Sequence, residues 1–427
     1  MEQFYYYNQL QKNANKEDME WLDLLKYALD VRIYHYGQNF KAPYEIYKKR
    51  EAKYVLKDFL SKSYKKMKFC ITPKIQKTRN TKNIISNAYF TVNTEISKLG
   101  YNVLNPPWKG YQKNISLPFY SFYRDSIKIN KKINELTFQE LLSKNFENEL
   151  EKYYRISCEI YNDYFDALIV PYDMPAMEKL AIKVFKQINK PSFIFLHGLP
   201  GRYNIIDDNR TDYLIVWGEM IKNLYINHGF SADKIFVSGH PYYKNLAIDN
   251  LRFSLNNILI LTTSLNGAQH SNGLILQDRG NLILYLYSIQ AVLQKFDIKH
   301  VRLRAHPSEN IEWYLNYINK DFYEIDDENL SDSLKKSTLV IGPASTVLLE
   351  SIYTGVNYIV YEPEIDNQYL MGRKTVPPFD GSDKRIPVAK DEETLYHIIK
   401  DHLKIDISIW NDYIKTPFDI SFIKELI

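Results

Sequence analysis

The chain has 427 residues, 45% of them hydrophobic and 25% charged, with a formal net charge of +4; this is a globular composition that excludes wholesale disorder and a collagen-like fibre. At about 150 residues per domain the length predicts two or three domains. The two cysteines, Cys70 and Cys158, are too few for a disulfide scaffold and point to a reducing cytoplasm.

The first residues lack a basic segment followed by an apolar one, and no window reaches the roughly 18 uncharged apolar residues of a spanning helix, so neither secretion nor membrane spanning is expected. Trp21, Leu24, Leu25, Ala28 and Leu29 recur at three- and four-residue steps and predict a helix. Residues 62–82 carry seven lysines and Arg79 without an acidic residue; the run reads as a solvated face or as a contact with anionic lipid headgroups or a charged glycan. Within it, 65–73 predicts a short strand, and 96–108 predicts a helix end at Gly100 followed by another strand.

After a polar helical stretch from about 137 to 162, apolar runs alternate with helical segments. Runs at 165–173, 191–201, 211–218 and 234–241 come first; a polar lapse at 242–256 follows; then come 257–267, 299–307, 337–345 and 356–363. Runs apolar at consecutive positions and separated by helices predict parallel strands covered on both faces. The expected fold is α/β with two tandem, Rossmann-like, doubly wound domains, 1–243 and 244–427.

Such sheets bind ligands at the carboxyl ends of their strands. In the second half those ends carry Thr262, Thr263, Ser264, Arg304, His306, Pro307, Gly342, Ser345, Thr346 and Glu362. Hydroxyls and free N–H groups at a helix start suit a phosphate, and Glu350, a few residues into that helix, suits a ribose. Ser345 also reads as a plain helix cap. In the first half, Asp173 and His197 close two of the apolar runs; Asp173 reads equally as a helix cap and His197 as a loop residue. There is no D-x-D, C-x-x-C, H-E-x-x-H, P-loop or G-x-G-x-x-G pattern, so no metal or dinucleotide cofactor is expected. The small net charge and the local basic run speak against a nucleic-acid partner.

His306–Pro307 at a strand end, with Ser345–Thr346 following 39 residues after His306, resembles the C-terminal half of GT-B glycosyltransferases that use nucleotide-monophosphate sugars: sialyl-, polysialyl-, pseudaminyl- and Kdo-transferase-like enzymes of bacterial surface polysaccharides. His197–Gly198 is similar to a His-Gly motif of teichoic-acid glycerophosphate polymerases. The likeness covers roughly residues 165–365. It implies a GT-B fold of two domains facing a central cleft, an acceptor-binding N-terminal domain and a donor-binding C-terminal one. It further implies an inverting, metal-independent transfer of a nonulosonic acid (sialic, pseudaminic or legionaminic acid, or Kdo) from a CMP-sugar donor to a capsule or lipooligosaccharide glycan, free or lipid-linked. His306, Ser345 and Thr346 would hold the donor phosphate, with Thr263, Ser264, Arg304, Pro307 and Gly342 around it and Glu350 on the ribose. Asp173 or His197 would be the base, since the acidic motif of polysialyltransferases is not present as such. A CDP-glycerol-type polyol-phosphate transferase and a catalytically silent nucleotide- or glycan-binding protein are the other readings. The expected location is cytoplasmic, at the inner face of the membrane if residues 62–82 touch it.

Overall fold

The computed structural model describes residues 21–26, 28–29, 81–109, 117–201, 211–243, 245–263, 279–307, 311–365, 368–371 and 374–427. Residues 62–80 of the basic run, the strand expected at 65–73, Cys70 and Ser264 lie outside them. Trp21–Leu29 begins as the sequence pattern requires: its described residues are helical, and Leu22, Leu24, Leu25, Ala28 and Leu29 are buried.

The first sheet follows the chain as β1 (Asn83–Ser86), α1 (Phe90–Lys98), β2 (Asn102–Leu104), α2 (Leu117–Glu135), α3 (Lys144–Tyr164), β3 (Ala167–Val170), α4 (Ala176–Gln187), β4 (Ser192–Phe195), β5 (Tyr213–Val216), α5 (Glu219–Asn227) and β6 (Ile235–Val237). Its strand order is β2-β1-β3-β4-β5-β6. β3 and β4 are buried at every position, which is why they read as unbroken apolar runs. The helical stretch expected from about 137 to 162 is present, as a short helix at Phe138–Leu141 and then α3, interrupted at 142–143. Ser143 takes the Phe146 N–H on its hydroxyl at 3.3 Å and starts α3 at Lys144, and a separate nineteen-residue helix, α2, precedes it. From that cap onward Phe146, Leu150, Tyr153, Ser157 and Tyr161 come inward at helical spacing.

The second sheet is built from β7 (Ile258–Leu261), α6 (Arg279–Gln294), β8 (Val301–Arg304), β9 (Tyr323–Ile325), α7 (Leu330–Lys336), β10 (Leu339–Gly342), α8 (Val347–Thr354) and β11 (Tyr358–Tyr361), then the hairpin β12 (Glu364–Ile365) and β13 (Gln368–Tyr369), and finally β14 (Val388–Ala389) and α9 (Glu392–Lys400). The order is β14-β11-β10-β7-β8-β9. Read from the β9 edge and counted from β7, this is 3-2-1-4-5-6, a doubly wound order. The described pairings within both six-stranded sheets are parallel. The chain is therefore α/β, with two tandem Rossmann-like sheets. On one face of the second sheet, Ile258, Ile260, Ile341 and Ile359 pack against Leu282, Leu286, Ile289 and Leu293 of α6.

The described residues form two compact units. The first takes those up to His197, 211–215 and Ile420–Ile427; the second takes 198–201 and Val216–Asp419. Among the described residues no helix is long and apolar enough to cross a membrane.

Gly342 closes β10 for a packing reason. A Cβ there would lie 2.2 Å from the Tyr358 hydroxyl and 3.2 Å from Leu261 Cβ, while that hydroxyl donates to the Pro343 carbonyl at 2.6 Å. Gly342→Ala is expected to cost about 1–3 kcal/mol, the usual range for overpacking a filled core, read as a lower urea midpoint. An unchanged midpoint would mean that β11 yields freely.

Candidate functional site

In a doubly wound sheet the open crevice lies where the strand order reverses, outside the carboxyl ends of the two central strands. In the second sheet those strands are β7 and β10. Thr262, directly after β7, is buried, and its hydroxyl accepts the His306 N–H at 2.9 Å. Its own N–H donates to the Arg304 carbonyl at 3.2 Å. The loops after β7 and β8 are thereby fixed to one another, with Thr263 half-buried and His306 and Pro307 exposed at the same edge.

After β10 the loop is held by side chains on three sides. The Ser345 hydroxyl accepts the Val347 N–H at 3.3 Å. The Thr346 hydroxyl accepts the Leu199 N–H at 2.9 Å. Buried Glu362, just past β11, takes the Ala344 N–H. Ser345 thus bonds locally before α8, but the cap position belongs to Thr346, which makes no side-chain cap bond, so Ser345 is not the helix cap. It keeps its own hydroxyl hydrogen, and so does Thr346, because each oxygen accepts and the O–H remains a donor. Gly198 is needed for the Leu199 contact: a Cβ there would stand 2.8 Å from Thr346 Oγ1.

Arg304 is engaged differently from a free ligand-binding arginine. Arg302 and Arg304, two apart on one face of β8, both pair with Asp326, at 3.0 and 3.4 Å, and Arg304 also donates to the Glu328 carbonyl. Glu350, half-buried on α8, has its carboxyl pushed up by burial, with the Arg304 charge pulling the other way.

In the first sheet the order reverses between β1 and β3. Asp173 lies just beyond β3 and is fully buried at 0% exposure; the cap position of α4 belongs to Pro175, which has no side-chain cap bond. Three residues after Pro175, the buried Glu178 carboxylate receives the Trp108 indole N–H at 3.2 Å and the Asn87 amide at 3.3 Å. Lys109 is 3.7 Å away, and burial raises the Glu178 pKa.

His197 follows β4 and is exposed. Its Nδ1 lies 3.1 Å from the Pro171 carbonyl, and its ring stands nearly perpendicular to that of Tyr172, with 5.4 Å between centroids and 82° between planes. The Tyr89 hydroxyl donates to the His197 carbonyl. A carbonyl only accepts, so Nδ1 carries the hydrogen and Nε2 keeps the lone pair. Desolvation where the ring packs on its neighbours holds the imidazole below its usual range, opposed by the weaker pull of the Pro171 carbonyl. At neutral pH the ring is therefore uncharged, with a fixed tautomer. Tyr89, Tyr172, Glu178 and the Pro171 carbonyl were missed in the sequence. Tyr172 adjoins Asp173 in an apolar run, whereas Tyr89 follows a four-residue strand that no run announces. Among the described residues no group of three or more His, Cys, Asp or Glu side chains is arranged to hold a metal ion.

No protein-family model and no curated protein matches the chain. Among solved structures it is similar to the UDP-GlcNAc 2-epimerase of Neisseria meningitidis bound to UDP-GlcNAc, with 10% identity, 81% of this chain and 97% of that one covered, and a TM-score of 0.46. The UDP-GlcNAc 2-epimerase of Methanocaldococcus jannaschii gives 12%, 81%, 99% and 0.45. The wall teichoic acid polymerase TagF gives 13%, 88%, 94% and 0.36.

Thr346→Val keeps the shape of the side chain and removes the acceptor for Leu199. Stability is expected to fall by about 1–2 kcal/mol, the cost of an unmet, partly buried N–H, and Thr346→Ser is expected to restore most of it. Equal unfolding midpoints for the Val and Ser variants would show that the hydroxyl does not hold the loop.

Proposed function

We propose that the chain is an inverting, metal-independent glycosyltransferase that moves a nonulosonic acid from a CMP-sugar to a capsule or lipooligosaccharide glycan at the cytoplasmic side of the membrane. In this reading residues 1–243 bind the acceptor and 244–427 the donor. The observation that carries the reading is His197, exposed at the carboxyl edge of the first sheet, neutral, with Nδ1–H held by Pro171 and Nε2 left as a base.

Nε2 takes the proton from the acceptor hydroxyl as that oxygen forms a bond to the anomeric carbon. The bond from that carbon to the phosphate oxygen breaks, and CMP leaves with the electron pair. The hydroxyls of Ser345 and Thr346, whose oxygens already accept backbone N–H groups, give their hydrogens to the departing phosphate. His306 stands at the same sheet edge with its backbone fixed by Thr262. Fixed donors of this kind act most strongly where charge grows in the transition state. Glu350 is assigned to the ribose and Asp173, fully buried, to loop positioning rather than proton transfer. A CDP-glycerol-type transfer would use the same His197 base with attack on phosphorus, and a silent nucleotide- or glycan-binding protein would hold CMP without releasing it from a donor.

Two measurements test the proposal. CMP is expected to stabilise the protein more than UMP, AMP or GMP, by roughly 2.7 kcal/mol at about 100 times Kd, a rise in Tm of about 2–4 °C. His306→Ala and Ser345→Ala each shrink that rise. A larger shift with UDP, untouched by His306→Ala, refutes the donor assignment.

The second measurement is the pH profile. The His197 pKa lies below the ordinary 6.5, so the base stays deprotonated as pH falls past that value and kcat/KM drops only beneath it. His197→Ala lowers kcat by about 10²–10⁴ and leaves the CMP response intact, whereas Asp173→Asn has the smaller effect on kcat. An acid limb centred above pH 6.5, or full turnover in His197→Ala, removes the histidine from the mechanism.

A further inference from the structure

Three aromatic residues stand at the carboxyl ends of three adjacent strands of the first sheet: Tyr89 after β1, Tyr172 after β3 and His197 after β4. They are linked through the histidine. The Tyr172 ring stands nearly perpendicular to its ring, with 5.4 Å between centroids, and Tyr89 donates to its carbonyl. Tyr89 is 40% exposed, one of the few large aromatic side chains so open among the described residues, and Tyr172 is half-buried.

An exposed tyrosine whose hydroxyl is engaged by the backbone is held in place and still presents an aromatic face. Such a face carries the negative end of the ring quadrupole. A pyranose matches it: one side of the ring is a patch of C–H groups with slight positive charge, and its rim of hydroxyls can reach a base. A polyol phosphate matches it poorly. Among the described residues, the groups seen against His197 are a phenol, a perpendicular aromatic ring and a carbonyl, all of them uncharged.

Resting on the glycosyltransferase reading above, we propose that Tyr89 and Tyr172 form a stacking platform for a pyranose ring of the acceptor, placing one of its hydroxyls at His197 Nε2. The acceptor is then a neutral sugar at the reacting residue, not a glycerol-phosphate chain.

The test is saturation-transfer NMR on the full chain in the presence of CMP. The probes are the methyl glycosides of galactose, glucose and N-acetylglucosamine, with glycerol 3-phosphate beside them. At least one pyranoside is expected to receive saturation from aromatic protons. Tyr89→Leu is expected to weaken that pyranoside about tenfold, the order of a single aromatic contact, while Tyr89→Phe, which keeps the ring but loses the hydroxyl bond that holds it, falls between the Leu variant and the parent. The Tm of each variant and its rise with CMP report that the fold and the donor side are intact. The platform is refuted if no pyranoside is saturated, if Tyr89→Leu and Tyr172→Leu bind as the parent does, or if glycerol 3-phosphate is the preferred probe. A protein that CMP does not stabilise fails the donor reading instead, and the pyranoside titration still decides the platform.

Discussion

A parallel sheet whose winding reverses once has a gap it cannot cover. Where neighbouring strands send their connections to opposite faces, the loops diverge and the backbone groups at the strand ends face a crevice. In this chain the gap opens between β1 and β3 in one sheet and between β7 and β10 in the other. Much of the local polar structure is a response to it. Thr262 holds the loop after β8, Thr346 and Glu362 hold the loop after β10, Glu178 gathers Asn87 and Trp108, and Pro171 fixes His197. The fold creates the opening, and short-range hydrogen bonds decide which atoms at its edge remain available.

That selection has a chemical direction. At the second sheet the hydroxyl oxygens of Ser345 and Thr346 accept from backbone N–H groups, which leaves their O–H hydrogens as donors. At the first sheet a backbone carbonyl takes the Nδ1 hydrogen, which leaves a lone pair on Nε2. At one edge hydroxyl hydrogens remain as donors, and at the other an imidazole lone pair remains.

Much of this was legible in the sequence, because strands buried on both faces announce themselves as apolar runs and the residues following each run are the edge residues. β3, β4, β7, β10 and β11 were read this way, and with them Asp173, His197, Thr263, Ser345 and Thr346. β9 and β14 are only three and two residues long, and β1, Asn83–Ser86, has just two apolar residues between polar ends, so no run announces it and Tyr89 could not be recognised. Arg304 illustrates a different limit. Its place at a strand end was readable, but its pairing with Asp326, 22 residues away in sequence, depends on β9 lying beside β8. The burial of Asp173 was hidden for the same reason: a sequence lists a carboxylate and not what is packed over it.

The division of the chain into compact units is interleaved: residues 198–201 side with the second unit, 211–215 return to the first, and Ile420–Ile427 end there, where the Lys82 ammonium donates to the Ile427 carbonyl at 2.6 Å. This bears on how such a protein diversifies. Exchange of one half between relatives by a single crossover would strand a segment on the wrong scaffold, whichever point was chosen. New specificity is reached more readily by changing loops at the strand ends than by shuffling whole halves.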